Sequence, residues 1–131
     1  MTEATGEAGD RRTEIAARLN AVRTRIATAC HAAGRASDEV TLIAVTKTYP
    51  VSDIRLLCDL GVPDIGENRD QEAAPKAAEC ASLGVPVTWH FVGQLQTNKV
   101  ASVVEYAAFV HSVDRPRLIR ALGAAARPPS R

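Results

Sequence analysis

From about Asp10 onward the apolar positions fall into alternating helical and strand-like patterns. Ile15, Leu19, Val22 and Ile26 recur at spacings of four, three and four, which predicts one buried helix face, with Gly34 as its stop. Residues 40–46 are mostly apolar and β-branched with no alternation, as in a parallel strand covered on both sides. A helix over 52–60 closed by Gly61 follows, then a short strand over 62–65. Asn68 with Gln71 has the form of a capping box opening a helix to Leu83, in which Pro75 marks a kink or a second start. Gly84 stops that helix and 87–92 reads as a third strand. Thr97 or Asn98 caps a helix to Tyr106, and 107–110 reads as a fourth strand. Asp114 caps a last helix, with Pro116 in its first turn and Leu118, Ile119 and Leu122 on its apolar side. Residues 1–9, small and polar with two glycines, read as a disordered leader, and 127–131 as a tail.

The expected fold class is therefore α/β: four βα units after an N-terminal helix. Strict alternation with short loops implies a parallel sheet joined by right-handed crossovers. Two architectures fit: a small doubly wound open sheet, or the first half of a (β/α)8 barrel, since a whole barrel takes about 250 residues. The 131 residues suffice for one domain with its own core. Sixteen basic and fifteen acidic residues leave a net charge of +1, which excludes the general electrostatic footprint of a nucleic-acid or anionic-membrane binder. The longest apolar run, Tyr106 to Val110, is too short to span a bilayer, and the first thirty residues hold no secretory apolar core. Cys30, Cys58 and Cys80 form no Cys-x-x-Cys pattern and read as reduced, helix-borne apolar fillers in a cytoplasmic protein.

In either architecture chemistry gathers at the C-terminal ends of the strands. Lys47, one of only three lysines against thirteen arginines, ends the first strand. Alternation puts it on one face with Thr41, Ile43 and Val45, an amine at the mouth of an apolar wall. Desolvation there favours the neutral amine that attacks an aldehyde; the alternative is a lysine that points into solvent. Glu67 and Asn68 follow a glycine at the second strand end, where Asn68 serves as a helix cap, a binding group or both. His90 lies in an apolar strand between Trp89 and Phe91 and reads as a hydrogen-bonded core residue or a ligand-facing one. His31 and His111 show no metal-ligand spacing with it, and no metal site is expected. Residues 93–99 offer amides at a helix N-terminus, a natural anion site, without the glycine density of a P-loop.

Three segments then carry a resemblance: Leu42-Ile43-Ala44-Val45-Thr46-Lys47-Thr48, Gly66-Glu67-Asn68-Arg69-Asp70-Gln71-Glu72, and Trp89-His90-Phe91-Val92-Gly93-Gln94-Leu95-Gln96-Thr97-Asn98-Lys99. Together they resemble the pyridoxal phosphate homeostasis protein family (YggS/PROSC type), whose fold is the barrel domain of alanine racemase. The resemblance spans 10–122. It implies a protein of vitamin B6 and amino-acid homeostasis that holds pyridoxal 5′-phosphate (PLP) as a Schiff base on Lys47, with Asn68 and His90 near the cofactor. It implies binding without an established catalytic turnover. It also implies that relatives continue for roughly another hundred residues, completing the barrel and supplying the phosphate-binding loop. The chain is thus expected to be a C-terminally truncated half-barrel, prone to self-association through its exposed edges and weak in PLP binding. Two alternatives stay open: a racemase-like PLP enzyme, which needs a second acid/base opposite Lys47, and a remnant with little PLP binding.

Overall fold

A computed structural model describes residues 2–126, with side chains from residue 9. The chain divides into two compact units, Met1–Leu42 and Ile43–Arg131. The first is built on helix α1, Thr2–Ala32, followed by a 3-10 turn at Ser37–Glu39. The helical backbone thus begins at Thr2, ahead of the start expected near Asp10. Glu3, Ala4, Glu7 and Ala8 are good helix formers, and extending a helix already nucleated downstream is cheap. Leu19 and Cys30 are buried, whereas Val22 is 41% exposed, so it sits at the margin of the apolar stripe. Gly34, at φ 70°, adopts the left-handed conformation expected of a helix stop. The tail at 127–131 lies outside the described residues.

The second unit runs β1 (Ala44–Val45), α2 (Val51–Asp59), β2 (Asp64–Glu67), α3 (Asp70–Leu83), β3 (Thr88–Phe91), α4 (Val100–Tyr106), β4 (Ala107–Val110) and α5 (Pro116–Ala125), with a 3-10 turn at Thr97–Lys99 before α4. All strand pairings are parallel, and the order across the sheet is β1-β2-β3-β4. A doubly wound sheet reverses its order and covers both faces with helices. Here the order never reverses, and residues of α2, α3, α4 and α5 pack against one face. Ile54, Ala77 and Cys80 meet Ile65 and Trp89 in one apolar cluster, while Val103 and Leu118 meet Phe91 in another. Of the two architectures the half-barrel is the one present.

Several expected boundaries move. The strand expected over 40–46 contracts to Ala44–Val45, because β1 is an outer strand with β2 as its one ladder partner. The second strand sits two residues later than its apolar run, so that Ile65 and Glu67 face the helices while Asp64 and Gly66 share the other face. Neither expected side-chain cap forms on α3 or α5: their N-caps are Arg69 and Arg115. Asp114 instead accepts a bond from Arg115 Nη1 at 2.7 Å. Pro75 lies within a single continuous α3, near enough to its N-terminus that one helical hydrogen bond is forgone without a second start. The three cysteines are free, and Cys80 is the apolar filler expected, 1% exposed in the first cluster. No helix among the described residues is long and apolar enough to cross a membrane.

Candidate functional site

The ladder pairs Val45 with Gly66 and Gly66 with His90, and His90 with Phe109. These four residues form one row on the sheet face opposite the helices. Lys47 and Asn68 each stand two residues beyond this row, at the C-terminal edge. The row is close-packed at its centre: a Cβ on Gly66 would meet Val45 Cγ2 at 3.3 Å and Val92 Cγ1 at 3.4 Å. Elsewhere the face is open, with Val45 50% and Phe109 54% exposed. Lys47 is itself exposed, so the enclosing apolar wall expected around it is replaced by an open rim, a consequence of the shortened β1. Its amine has no hydrogen bond or ion pair among the described residues.

Lys47 occupies a tight turn. Tyr49 N–H donates to Thr46 O at 3.0 Å, and Thr48 holds φ 68°, the left-handed value that the third residue of a type II turn demands. Threonine is β-branched and ill-suited to that region, where non-glycine residues cost about 1–3 kcal/mol. The turn is fastened from the helix side. Thr46 Oγ1 donates to Glu67 Oε2, which is fully buried. Lys76 Nζ, from α3, donates to Thr46 O at 2.9 Å, Glu67 Oε2 at 2.9 Å and Glu72 Oε2 at 2.7 Å. Glu72 Oε2 also accepts the Thr48 N–H. Burial works to lower the Lys76 pKa, but the bonds to Glu72 and Glu67 outweigh it and hold the ammonium above its ordinary value. The bond from Lys76 holds the Glu72 carboxyl below its ordinary range. The sequence pattern missed this cluster; the Glu72 to Lys76 spacing of four was its one visible signal, and that spacing is common on solvated helix faces.

His90 is buried and bonded at both ring nitrogens: Nε2 lies 2.8 Å from Asp64 Oδ1 and Nδ1 lies 3.0 Å from His111 Nε2. An ionised carboxylate only accepts, so Nε2 carries a proton, and a neutral His90 ring then accepts at Nδ1 from His111. Stacking on Phe109, with ring centroids 4.8 Å apart, fixes the imidazole plane. The hydrogen-bonded reading of His90 describes its surroundings, and His111, unconnected to it by sequence spacing, is its partner. Among the described residues no group of three His, Cys, Asp or Glu side chains is placed to hold a metal ion.

Asn68 is partly buried, and its Oδ1 is buried without a hydrogen-bond partner. Its backbone is held by the approach of Gly93: a Cβ there would fall 2.3 Å from Asn68 O. Asn68 also borders a cavity of ≈ 450 Å³ with Arg69, Phe91, Gln94, Lys99 and Arg115, which neither Lys47 nor His90 lines. The structure thus sets Lys47 and Asn68 at the C-terminal edge of the sheet and His90 in the row behind them, without gathering the three around one enclosed pocket.

A four-stranded parallel sheet with its helices on one face and Lys47 in a fastened turn at its C-terminal rim defines the class: an α/β fold equivalent to half of a βα barrel. Comparison with known proteins narrows this. No protein-family model matches the chain. The pyridoxal phosphate homeostasis protein of Mycobacterium leprae is 44% identical over 121 residues, covering 87% of this chain and 47% of that protein. The protein of the same name from Escherichia coli is 42% identical over 106 residues, 80% of this chain and 45% of its own length. Among solved structures, PipY of Synechococcus elongatus, determined with PLP bound, matches with a TM-score of 0.70 and 38% identity over 85% of this chain and 47% of its own. A crystal structure described as an unknown protein from Bifidobacterium adolescentis matches with a TM-score of 0.76 and 35% identity over 88% of this chain and 50% of that one. The chain is similar in sequence and fold to these pyridoxal phosphate homeostasis proteins, and it spans about half the length of the curated relatives it matches.

Proposed function

We propose that the chain is a PLP-binding element of vitamin B6 homeostasis, with Lys47 as the residue that attaches the cofactor and Asn68 and His90 as its neighbours on the sheet's C-terminal edge. The observation that carries this reading is the state of the lysines. Lys76 is committed to three acceptors; of the two lysines without a bonded partner among the described residues, Lys99 ends the 3-10 turn before α4, while Lys47 stands in the turn that follows β1. The residues present fit the group: a free amine and an amide oxygen with no partner stand at the edge, with a plane-fixed imidazole in the row behind them. Bound there, PLP would supply an aldehyde, the group toward which the Lys47 amine would act as nucleophile. What the chain contributes is placement. The turn at Thr46 to Tyr49 presents the amine, and Asp64 with His111 holds the His90 ring in one orientation within the row. We place the protein in the cytoplasm, where three free thiols stay reduced.

The test is borohydride reduction of the chain with PLP followed by peptide mapping. The label is expected on Lys47 ahead of Lys76 and Lys99. Equal labelling of all three, or unchanged total labelling in Lys47→Ala, overturns the assignment. Racemisation of amino acids with added PLP would favour the racemase-like alternative instead.

A further inference from the structure

The fastening of the Lys47 turn goes beyond the cofactor reading on which it rests. Residue 47 is bracketed on both sides. Its predecessor gives a hydroxyl to Glu67 and a carbonyl to Lys76; its successor gives an N–H to Glu72. All three anchoring side chains approach from the helix side: Glu67 from the last position of β2, Glu72 and Lys76 from successive turns of α3. We propose that Lys76 is a positioning residue which, through Glu67 and Glu72, locks the Thr46–Thr48 backbone so that the Lys47 amine is aimed across the rim. The geometry supports a role beyond packing. An apolar side chain at 76 would fill the same space but bond neither the carbonyl of 46 nor the carboxylate that holds the amide of 48. The left-handed Thr48 shows that the turn is not the conformation this residue adopts by itself, so something must over-determine it. The three acceptors of Lys76 belong to Thr46, Glu67 and Glu72, none of them a residue of the open row.

The experiment uses the full chain and two variants. Glu72→Gln removes the charged acceptor at Thr48 while leaving Lys76 paired with Glu67; Glu72 is partly exposed, so this variant is expected to fold. Glu67→Gln with Lys76→Met removes both buried charges together and avoids stranding either one. Two readouts are taken beside a thermal melt. The first, without PLP, is amide exchange at Thr48, expected to accelerate about tenfold or more when its charge-assisted bond is lost. The second is the ratio of reductive PLP labelling at Lys47 to that at Lys99 within the same folded molecules. A merely structural role does not move this ratio in a variant that still melts cooperatively; the positioning role lowers it several-fold in both variants. An unchanged ratio in either variant overturns the proposal while leaving the Lys47 assignment intact, as does unchanged Thr48 exchange in Glu72→Gln. Absence of any Lys47 preference in the parent chain overturns the cofactor reading, and this proposal with it.

Discussion

Gly93 is the residue at which a single methyl group is expected to do the most damage. The loop after β3 passes so close to the end of β2 that a Cβ on Gly93 would sit 2.3 Å from Asn68 O, 2.6 Å from Asn68 Cβ and 2.8 Å from Asn68 Cα. Two of these three atoms are backbone, so no rotamer change relieves the overlap. Relief requires the β2 and β3 loops to part by roughly an ångström, against close packing that resists it. Overpacking of this kind costs about 1–3 kcal/mol, and the backbone contact puts Gly93→Ala at the upper end. Gly66→Ala is the internal control. Its added Cβ would meet Ile43 Cγ2 at 3.1 Å and Val45 Cγ2 at 3.3 Å, side-chain methyls just before and on the outer strand β1, one of them on a half-exposed residue. Those methyls can give by a few tenths of an ångström, so Gly66→Ala should cost less than about 1 kcal/mol. With a urea m-value near 1–1.5 kcal/mol/M for a domain of this size, Gly93→Ala should lower the midpoint by about 2 M and Gly66→Ala by under 1 M. Equal shifts, or a larger one for Gly66→Ala, would refute the argument from backbone overlap.

Three further outcomes are expected. Lys76→Met alone strands the fully buried Glu67 carboxylate and should destabilise by about 3–5 kcal/mol, with the paired Glu67→Gln change restoring much of it; urea titration of both checks this. The cluster should also show in pH-dependent stability. Lys76 is held above its ordinary 10.5, so its contribution is full below that value and lost as pH climbs through the raised folded pKa. Glu72 is held below its ordinary 4.5, so its contribution is present above 4.5 and lost as pH falls through the lowered one. The stability gap between the parent and Glu72→Gln should therefore be flat near neutrality and close below about pH 4. Finally, this chain should bind PLP at least about a thousandfold more weakly than relatives of twice its length. Resemblance places the phosphate donors in the portion it does not span, and about three charge-assisted bonds are worth roughly 4–9 kcal/mol. PLP titration with light scattering checks this, and should also find self-association through the exposed row at Val45 and Phe109.

The sequence disclosed most of the secondary structure because its signals are local. The fourth strand falls where its apolar run lies, and α2 and α3 end at their expected glycines, since an apolar stripe and a left-handed stop act within a few residues. What was not legible depended on contacts distant along the chain. The extent of β1 is set by which neighbours it has in the sheet, which residues 40–46 cannot encode alone. Asn68 looked like a cap because a glutamine follows at the right spacing, yet the approach of Gly93 holds it in the loop while Arg69 takes the cap position. His111 meets His90 across a register that slips at Trp89/His90, where Ala108 is the extra residue of β4. No periodicity in the sequence announces such a bulge.

The division of labour between the two faces of the sheet explains why Lys47 was conspicuous and Lys76 was not. A lysine ending an apolar strand stands out in sequence because the strand pattern makes its position improbable. A lysine four residues after a glutamate on a helix looks ordinary, although here its ammonium is carried inward to a buried carboxylate. Stability alone does not account for that arrangement. Buried ion pairs roughly break even against apolar residues of equal volume, and the neighbouring clusters around Trp89 and Phe91 are closed with apolar side chains alone. A charged trio does one thing that leucines cannot: it offers a donor to the Thr46 carbonyl and an acceptor to the Thr48 amide of the turn. The helix face thus carries the groups that set the turn, and the open face carries the groups the turn presents. Substitutions on the first should change where the Lys47 amine points, and substitutions on the second should change what it meets.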